Sequence, residues 1–275
     1  MAGHLSSKKD FDIYIYNRTE AVSDKWLSEY NGCKFNLTDS KNIQFNGIIS
    51  CLKNDEAIVD LLLNKRLIAG LKKNSFILDH STTSLNLIEL VTSDKCVIEN
   101  NISFFDAPVS GGEAGAINGA LSVMFGGPKY KVSIIKKIMN AYSKSIVHIG
   151  PSGHGQLTKM VNQICIAGLI QALSEGISLG KSVNLNMKKV FKAISNGAAQ
   201  SWQMDNRFET MINEQFDFGF AVDLMIKDLK IAIKESKDNG IDLKISNQVL
   251  NQYKKLSKQG DGDLDTSSLI KIIKS

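Results

Sequence analysis

The chain changes texture once, at Ile149-Gly150-Pro151-Ser152-Gly153-His154-Gly155. Before this segment, short β-branched runs alternate with helical stretches. The runs at 11–16, 47–52, 75–79, 102–109, 120–125 and 145–149 read as strands, and 54–63 reads as a helix capped by Asn54. Strands alternating with helices imply a parallel sheet covered on both faces. After the segment no run reads as a strand. Apolar residues recur at helical spacing over 156–181, then over 187–194, 201–212, 221–239 and 243–256. The fold class expected is therefore α/β, a Rossmann-like doubly wound parallel sheet over 1–150. An all-helical domain over 151–275, hung on one long helix, follows it.

Composition narrows the function classes. Of the 33 cations, 30 are Lys, and only Arg18, Arg66 and Arg207 are Arg. The net charge of +5 divides into +2 over 1–150 and +3 over 151–275. No basic stripe interleaved with aromatics accompanies it, so no nucleic-acid partner is expected. Uninterrupted apolar runs fall far short of ~18 residues, so no membrane partner is expected either. Cys33, Cys51, Cys96 and Cys165 lie far apart without CxxC spacing. They read as buried thiols of a reducing compartment, hence a cytoplasmic location. His4, His80, His148 and His154 show no metal-ligand spacing, so no metal is expected. Gly168, Gly176 and Gly180 read as sites of close helix packing, and Trp202, Met204 and Phe208 as core.

Two segments carry chemistry. The first is Phe105-Asp106-Ala107-Pro108-Val109-Ser110-Gly111-Gly112, a strand that runs into a glycine turn. Two glycines after a serine let backbone N–H groups approach an anion, with the Ser110 hydroxyl as a further donor; a plain tight turn is the alternative. In the second, Gly150-x-x-Gly153-x-Gly155 is followed by Lys159 and Asn162. On a helix starting near Gly155 these are i and i+3, on one face near a positive helix end. A lysine held there away from water can lose pKa and move protons, whereas most helix lysines are solvated.

Together the segments resemble the β-hydroxyacid dehydrogenase family, which includes 3-hydroxyisobutyrate dehydrogenase and tartronate semialdehyde reductase. Asp106-Ala107-Pro108-Val109-Ser110-Gly111-Gly112 is similar to its substrate signature, and Lys159 with Asn162 to its catalytic helix. Asp223-Leu224-Met225-Ile226-Lys227-Asp228-Leu229 is similar to its late lysine–aspartate motif, and Asp79-His80-Ser81-Thr82 to its loop beside the nicotinamide. The resemblance implies a hydride exchange between NADP or NAD and a small β-hydroxy acid or its semialdehyde. It makes Lys159 the general acid/base, Ser110, Gly111 and Gly112 the carboxylate clamp, and Asn162 the group that orients substrate. Leu52, Ser81, Thr82 and Lys227 fall to cofactor contacts, with His80 as a further lining candidate. A homodimer or homotetramer is implied as well.

Cofactor choice turns on Tyr16-Asn17-Arg18-Thr19 at a strand end. In a dinucleotide fold the tip of the second strand meets the adenosine ribose, where a carboxylate selects NAD. Asn17, Arg18 and Thr19 instead offer donors to a 2′-phosphate, so NADP is expected to be preferred. Two departures accompany the resemblance. Members open with a strand and a GxGxxG loop, whereas Met1-Ala2-Gly3-His4-Leu5 resembles the helix that follows that loop. Without that strand a gap is expected between the strands on either side. Lys53 follows Leu52 where the family commonly has Pro. The lost loop motivates a rival reading, a non-catalytic family member serving as a binding or structural protein.

Overall fold

The computed structural model describes residues 1–41 and 43–273. The chain divides into two compact units, Met1–Lys159 and Met160–Ser275.

The first unit opens with the short helix α1 (Ala2–Ser6), then β1 (Tyr14–Ile15), α2 (Glu20–Glu29) and β2 (Cys33–Lys34). β3 (Phe45–Ser50), α3 (Asp55–Val59) and β4 (Leu71–Asp79) follow, then α4 (Leu85–Thr92), α5 (Lys95–Glu99) and β5 (Ser103–Asp106). The unit closes with β6 (Val109–Ser110), α6 (Gly112–Ile117), β7 (Leu121–Gly126), α7 (Val132–Met139) and β8 (Ser143–Gly150). β3, β4 and β5 run parallel, as do β7 and β8, while β7 runs antiparallel to β5 and β6. The expected parallel sheet is thus a mixed one. The direction reverses between β6 and β7, across the turn and helix at 111–120, while Ala107-Pro108 only interrupts the run expected over 102–109, because proline has no N–H for a ladder.

Period two explains how this sheet is buried. Ile48, Ile77 and Phe104 point to one apolar cluster, with Ile58, Leu62 and Val91 of the covering segments. Their neighbours Leu78 and Phe105 point to the other face, with Leu121, Phe125, Ile135 and Met139. Strands buried on both faces are what a doubly covered sheet demands. Asn54 accepts from Ala57 N at 3.1 Å, so the expected cap of α3 is present.

β1 pairs with β2 in a separate two-stranded sheet, and among the described residues neither pairs with β3. The run expected over 11–16 is accordingly reduced to two strand residues. What joins this piece to the larger sheet is aromatic: Tyr14 and Phe35 set their rings edge-on to Phe45 at 5.5 and 5.1 Å.

α8 (His154–Ser182) is one continuous helix of 29 residues. By length and composition it is apolar enough to cross a bilayer, which the run-length reading had not anticipated. Its buried positions include Gln156, Lys159, Gln163, Gln171 and Ser174, a polar series that suits a protein interior rather than lipid. The second unit continues with α9 (Met187–Ile194), α10 (Trp202–Ile212), α11 (Val222–Asp238), α12 (Lys244–Leu256) and α13 (Ile270–Ile273). Asn186 and Ser201 cap α9 and α10 by accepting from Lys189 N and Met204 N. An added Cβ at Gly168 or Gly176 would meet nothing within 4 Å; only Gly180 packs closely, against Met187. Met204 and Phe208 are buried, but Trp202 lies outside the core, with its ring 5.1 Å from the Arg207 guanidinium. Cys33, Cys51 and Cys165 are exposed rather than buried, and among the described residues no disulfide joins any of the four cysteines. Cys33 lies on a two-residue strand, Cys51 just past a strand end and Cys165 on the outer side of α8, where apolar character alone secures no burial.

Asp265 organises the end of the chain. At 1% exposure it accepts from Arg207 Nε at 3.0 Å, Phe220 N at 2.9 Å and both donors of Ser267. Asp265→Ala would leave Arg207 Nε, the Ser267 hydroxyl and the amides of Phe220 and Ser267 without this acceptor. The expected loss is about 3–5 kcal/mol, read by urea unfolding through Trp202 fluorescence; a midpoint within error of wild type would refute it.

Candidate active site

The strand ends of the first unit carry a polar network, and it begins with two aspartates in register. Asp79 closes β4, Asp106 closes β5, and the two pair across the ladder. Both are fully buried. Asp106 accepts from Gly153 N at 2.7 Å and from Gln156 N at 2.8 Å, so it caps the start of α8. Gly155 backs against it so closely that an added Cβ would stand 2.4 Å from Asp106 O. The glycine spacing of this segment therefore serves the approach of a helix to a strand end. Burial still raises the Asp106 carboxyl above its ordinary range, against the pull of its amide donors.

Asp79 is satisfied on one side only. Its Oδ1 accepts from Ser50 Oγ at 2.9 Å, Ser81 N at 3.1 Å and Ser81 Oγ at 2.6 Å, while its Oδ2 is buried without a hydrogen-bond partner. Burial, with Asp106 adding like charge, pushes its carboxyl up to about 6. Through Ser81 the aspartate reaches the candidate cofactor loop: Leu52 N donates to Ser81 Oγ at 2.8 Å. Thr82 is half-buried at the loop's crest.

His80 points the other way. Its Nδ1 donates to Ala107 O at 2.6 Å, which fixes the tautomer, and its Nε2 accepts from the Tyr142 hydroxyl at 2.8 Å. Burial holds its pKa down to about 4. The ring is a core tie between two loops, not a lining residue.

Lys159 is 7% exposed, and its Nζ donates to Val109 O at 2.9 Å. Val109 immediately precedes Ser110, Gly111 and Gly112, so the amine is tied to the strand that leads into the glycine turn. Gly111 and Gly112 have φ of +124° and +60°, and a side chain at either would be strained. No atom lies within 4 Å of a Cβ built on Gly112, which leaves open space over the turn. Lys159, Leu52, Ser81, Thr82 and the turn thus share one unit.

Asn162 follows three residues after Lys159 on α8 and belongs to the second unit. Its Nδ2 donates to Gln163 Oε1 at 2.8 Å, and Gln163 Nε2 donates to Asp228 Oδ2 at 2.6 Å. Lys227 Nζ lies 3.2 Å from Asp228 Oδ1. Asn162 and Lys227 are therefore joined through a buried amide and a buried carboxylate.

Asn17, Arg18 and Thr19 are exposed just past β1. Asn17 Oδ1 accepts from Thr19 N at 2.9 Å, which leaves the amide's Nδ2 as a donor. Glu20 and Asp24 of α2 are drawn to Lys34 at 3.1 and 2.8 Å. A guanidinium, an amide and a hydroxyl remain, a donor set that fits a phosphate-bearing ribose.

The family profile described as the NAD binding domain of 6-phosphogluconate dehydrogenase matches residues 1–150. The profile described as NAD-binding of NADP-dependent 3-hydroxyisobutyrate dehydrogenase matches 153–273. The chain belongs to the β-hydroxyacid dehydrogenase family. It is 42% identical over 271 residues to a Shewanella frigidimarina protein named as an uncharacterized oxidoreductase, covering 98% of this chain and 92% of that one. It is 31% identical to an Arabidopsis thaliana protein named as a probable mitochondrial 3-hydroxyisobutyrate dehydrogenase-like protein, covering 98% and 80%. The fold matches that of Mycobacterium tuberculosis 3-hydroxyisobutyrate dehydrogenase with a TM-score of 0.88 at 20% identity, over all of this chain and 94% of that one. As a family member this chain is an NAD(P)-dependent hydroxyacid dehydrogenase.

Five residues of these networks went unread as participants: Gln156, Gln163, Tyr142, Asp79 and Asp228. A signal existed for some of them. An acid that closes an apolar strand, as Asp79 does, must find donors there, and Gln156 shares a helix face with Lys159.

Because Asp79 binds its proton more tightly folded than unfolded, its contribution to stability falls as pH rises from about 4 to 6. Asp79→Asn keeps the accepting oxygen and removes the charge. Its stability relative to wild type, measured by urea unfolding at each pH, is expected to climb across that window, reaching a gain on the order of 3 kcal/mol above it. A difference that stays constant from pH 4 to 7 would show that Asp79 is ionised throughout.

Proposed function

We propose that this chain interconverts a small β-hydroxy acid and its semialdehyde with NADP as the preferred cofactor, NAD serving less well, and Lys159 as general acid/base. The observation that carries this reading is the Lys159 amine, nearly buried and hydrogen-bonded to the carbonyl that leads into Ser110-Gly111-Gly112. An amine held there reaches a hydroxyl whose carboxylate is received by the turn. In the oxidative direction neutral Lys159 Nζ takes the hydroxyl proton as the C–H bond breaks. In the reductive direction its ammonium returns that proton to the carbonyl oxygen. The bound nicotinamide supplies the hydride acceptor or donor.

The protein's work is positioning. Ser110 and the glycine amides hold the carboxylate, Asn162 orients the substrate beside the lysine, and Lys227 contacts cofactor or substrate. Leu52, Ser81 and Thr82 serve the nicotinamide side, and Asn17, Arg18 and Thr19 the ribose phosphate. Fixing both reactants before hydride transfer accounts for much of the rate in such reactions. The exposed apolar residues Val161, Leu169 and Leu179 of α8, with Val183 just past its end, support a homodimer or homotetramer, and we place the enzyme in the cytoplasm.

Lys159→Ala should lower turnover by roughly 10²–10⁴-fold while the Kd for NADP stays within a factor of about two to three; near-normal turnover would remove the lysine from this role. Arg18→Asp should move the ratio of kcat/KM from NADP toward NAD, because a carboxylate repels the 2′-phosphate and accepts from ribose hydroxyls. The check is kinetics with both cofactors. An unchanged ratio would mean that Arg18 faces solvent.

A further inference from the structure

The side chain of Gln156 has no part in the reaction described so far, yet it is fully buried and bonded at both ends. Its Oε1 accepts from Thr83 N at 3.1 Å, and its Nε2 donates to Ser81 O at 2.8 Å. These partners are main-chain groups of the loop that carries Ser81 and Thr82. Gln156 also stands one turn before Lys159 on α8, on the same face. Its own N–H is held by Asp106, so the side chain projects from the most firmly anchored turn of the helix.

We propose that Gln156 is a positioning residue that sets the loop 81–83 in register with the turn of α8 carrying Lys159. The proposal rests on the reading that Lys159 moves the proton and that Ser81 and Thr82 flank the nicotinamide. Ser81 Oγ ties the same loop to the strand ends through Asp79, but neither partner of that bond belongs to α8. Gln156 supplies the tie to α8. Only a neutral side chain of this length with one donor and one acceptor satisfies both main-chain groups at once. An apolar side chain leaves a carbonyl and an N–H buried and unpaired, and a carboxylate faces the Ser81 carbonyl with like partial charge.

The test uses the full chain and two variants close to glutamine in shape. Gln156→Met removes both hydrogen bonds. Gln156→Glu keeps only the acceptor when ionised, but when protonated it again offers an O–H to Ser81 O and an oxygen to Thr83 N. The expected result for Gln156→Met is a rise of about tenfold in the Kd for NADP by titration calorimetry. A fall in kcat and faster amide exchange over 81–84 without cofactor are expected beside it. Gln156→Glu should match Gln156→Met at pH 8.5 and approach wild type at pH 6, since burial raises a carboxyl pKa. Asp79, Asp106, His80 and Lys159 are the ionisable groups around Gln156 and are unchanged in both variants, so Gln156→Met is the control for their effects. A lowered melting temperature with Kd, kcat and exchange unchanged would reduce Gln156 to a packing residue and overturn the proposal. So would a Gln156→Glu Kd that tracks Gln156→Met at every pH. Lys159→Ala, measured alongside, separates the two layers: if it keeps its turnover the reading of the site fails, whereas the Kd and exchange results judge Gln156 by themselves.

Discussion

The two hydrogen bonds from Gly153 N and Gln156 N to the Asp106 carboxylate are what the rest of the site hangs on. A helix start presents amides without intrahelical acceptors, and a strand that ends in a buried carboxylate presents acceptors without donors. Each deficiency is met by the other. The match fixes the first turn of α8 to the end of β5. Everything that projects from that turn and the next, Gln156 and then Lys159, inherits its place from Asp106. The first residue of the substrate signature therefore acts on the helix rather than on the substrate. The residues at its far end, Ser110 to Gly112, form the turn with open space above it.

Asp79 and Asp106 show how the same residue type in the same register can be put to different uses. Two carboxylates on adjacent strand ends, away from water, cannot both be ionised without cost. Asp106 spreads its acceptors over backbone amides of a helix start, whose dipole favours negative charge. Asp79 has hydroxyls and one amide on a single oxygen and none on the other, so it is the partner driven toward its neutral form. That asymmetry keeps loop 79–83 attached through Ser81 without placing a second full charge beside the first. His80 contributes an uncharged tie from the same loop to Ala107, with a hydroxyl from Tyr142 closing its other nitrogen. Between these groups, loop 79–83 is bonded to β3, to the end of β5 and to α8.

The architecture was legible where local pattern decides it. Helices α8 to α12 lie within about two residues of where their periodicity places them, because apolar spacing and a capping side chain such as Ser201 mark both face and start, whereas the short α13 was not read. Strand ends were less legible. The run over 102–109 has continuous strand character, and only the missing N–H of Pro108 divides it into two short strands, β5 and β6, of the same direction. The run over 11–16 is also strand-like, but a strand exists only as far as its partner does, and β1 has two paired residues. The thiols misled because cysteine's preference for burial is statistical, while exposure here follows from strand ends and a helix's outer side.

The motifs marked Lys159, Ser110 and Asn162, residues whose neighbours in sequence carry a recognisable spacing. The hydrogen bonds of the network around them join groups 27 to 75 positions apart along the chain. Gln156 meets Ser81, Ser50 meets Asp79, and Gln163 meets Asp228 only after the sheet and the helices have formed. Nothing in local propensity distinguishes a glutamine that will be buried between two backbone groups from one that will face water. The distinction comes from the fold, which brings unsatisfied main-chain groups to a place that water does not reach. There a neutral amide is the side chain that satisfies a donor and an acceptor without adding charge beside Asp106. With those two main-chain groups satisfied, the next turn of the helix carries Lys159, whose Nζ is tied to Val109 O.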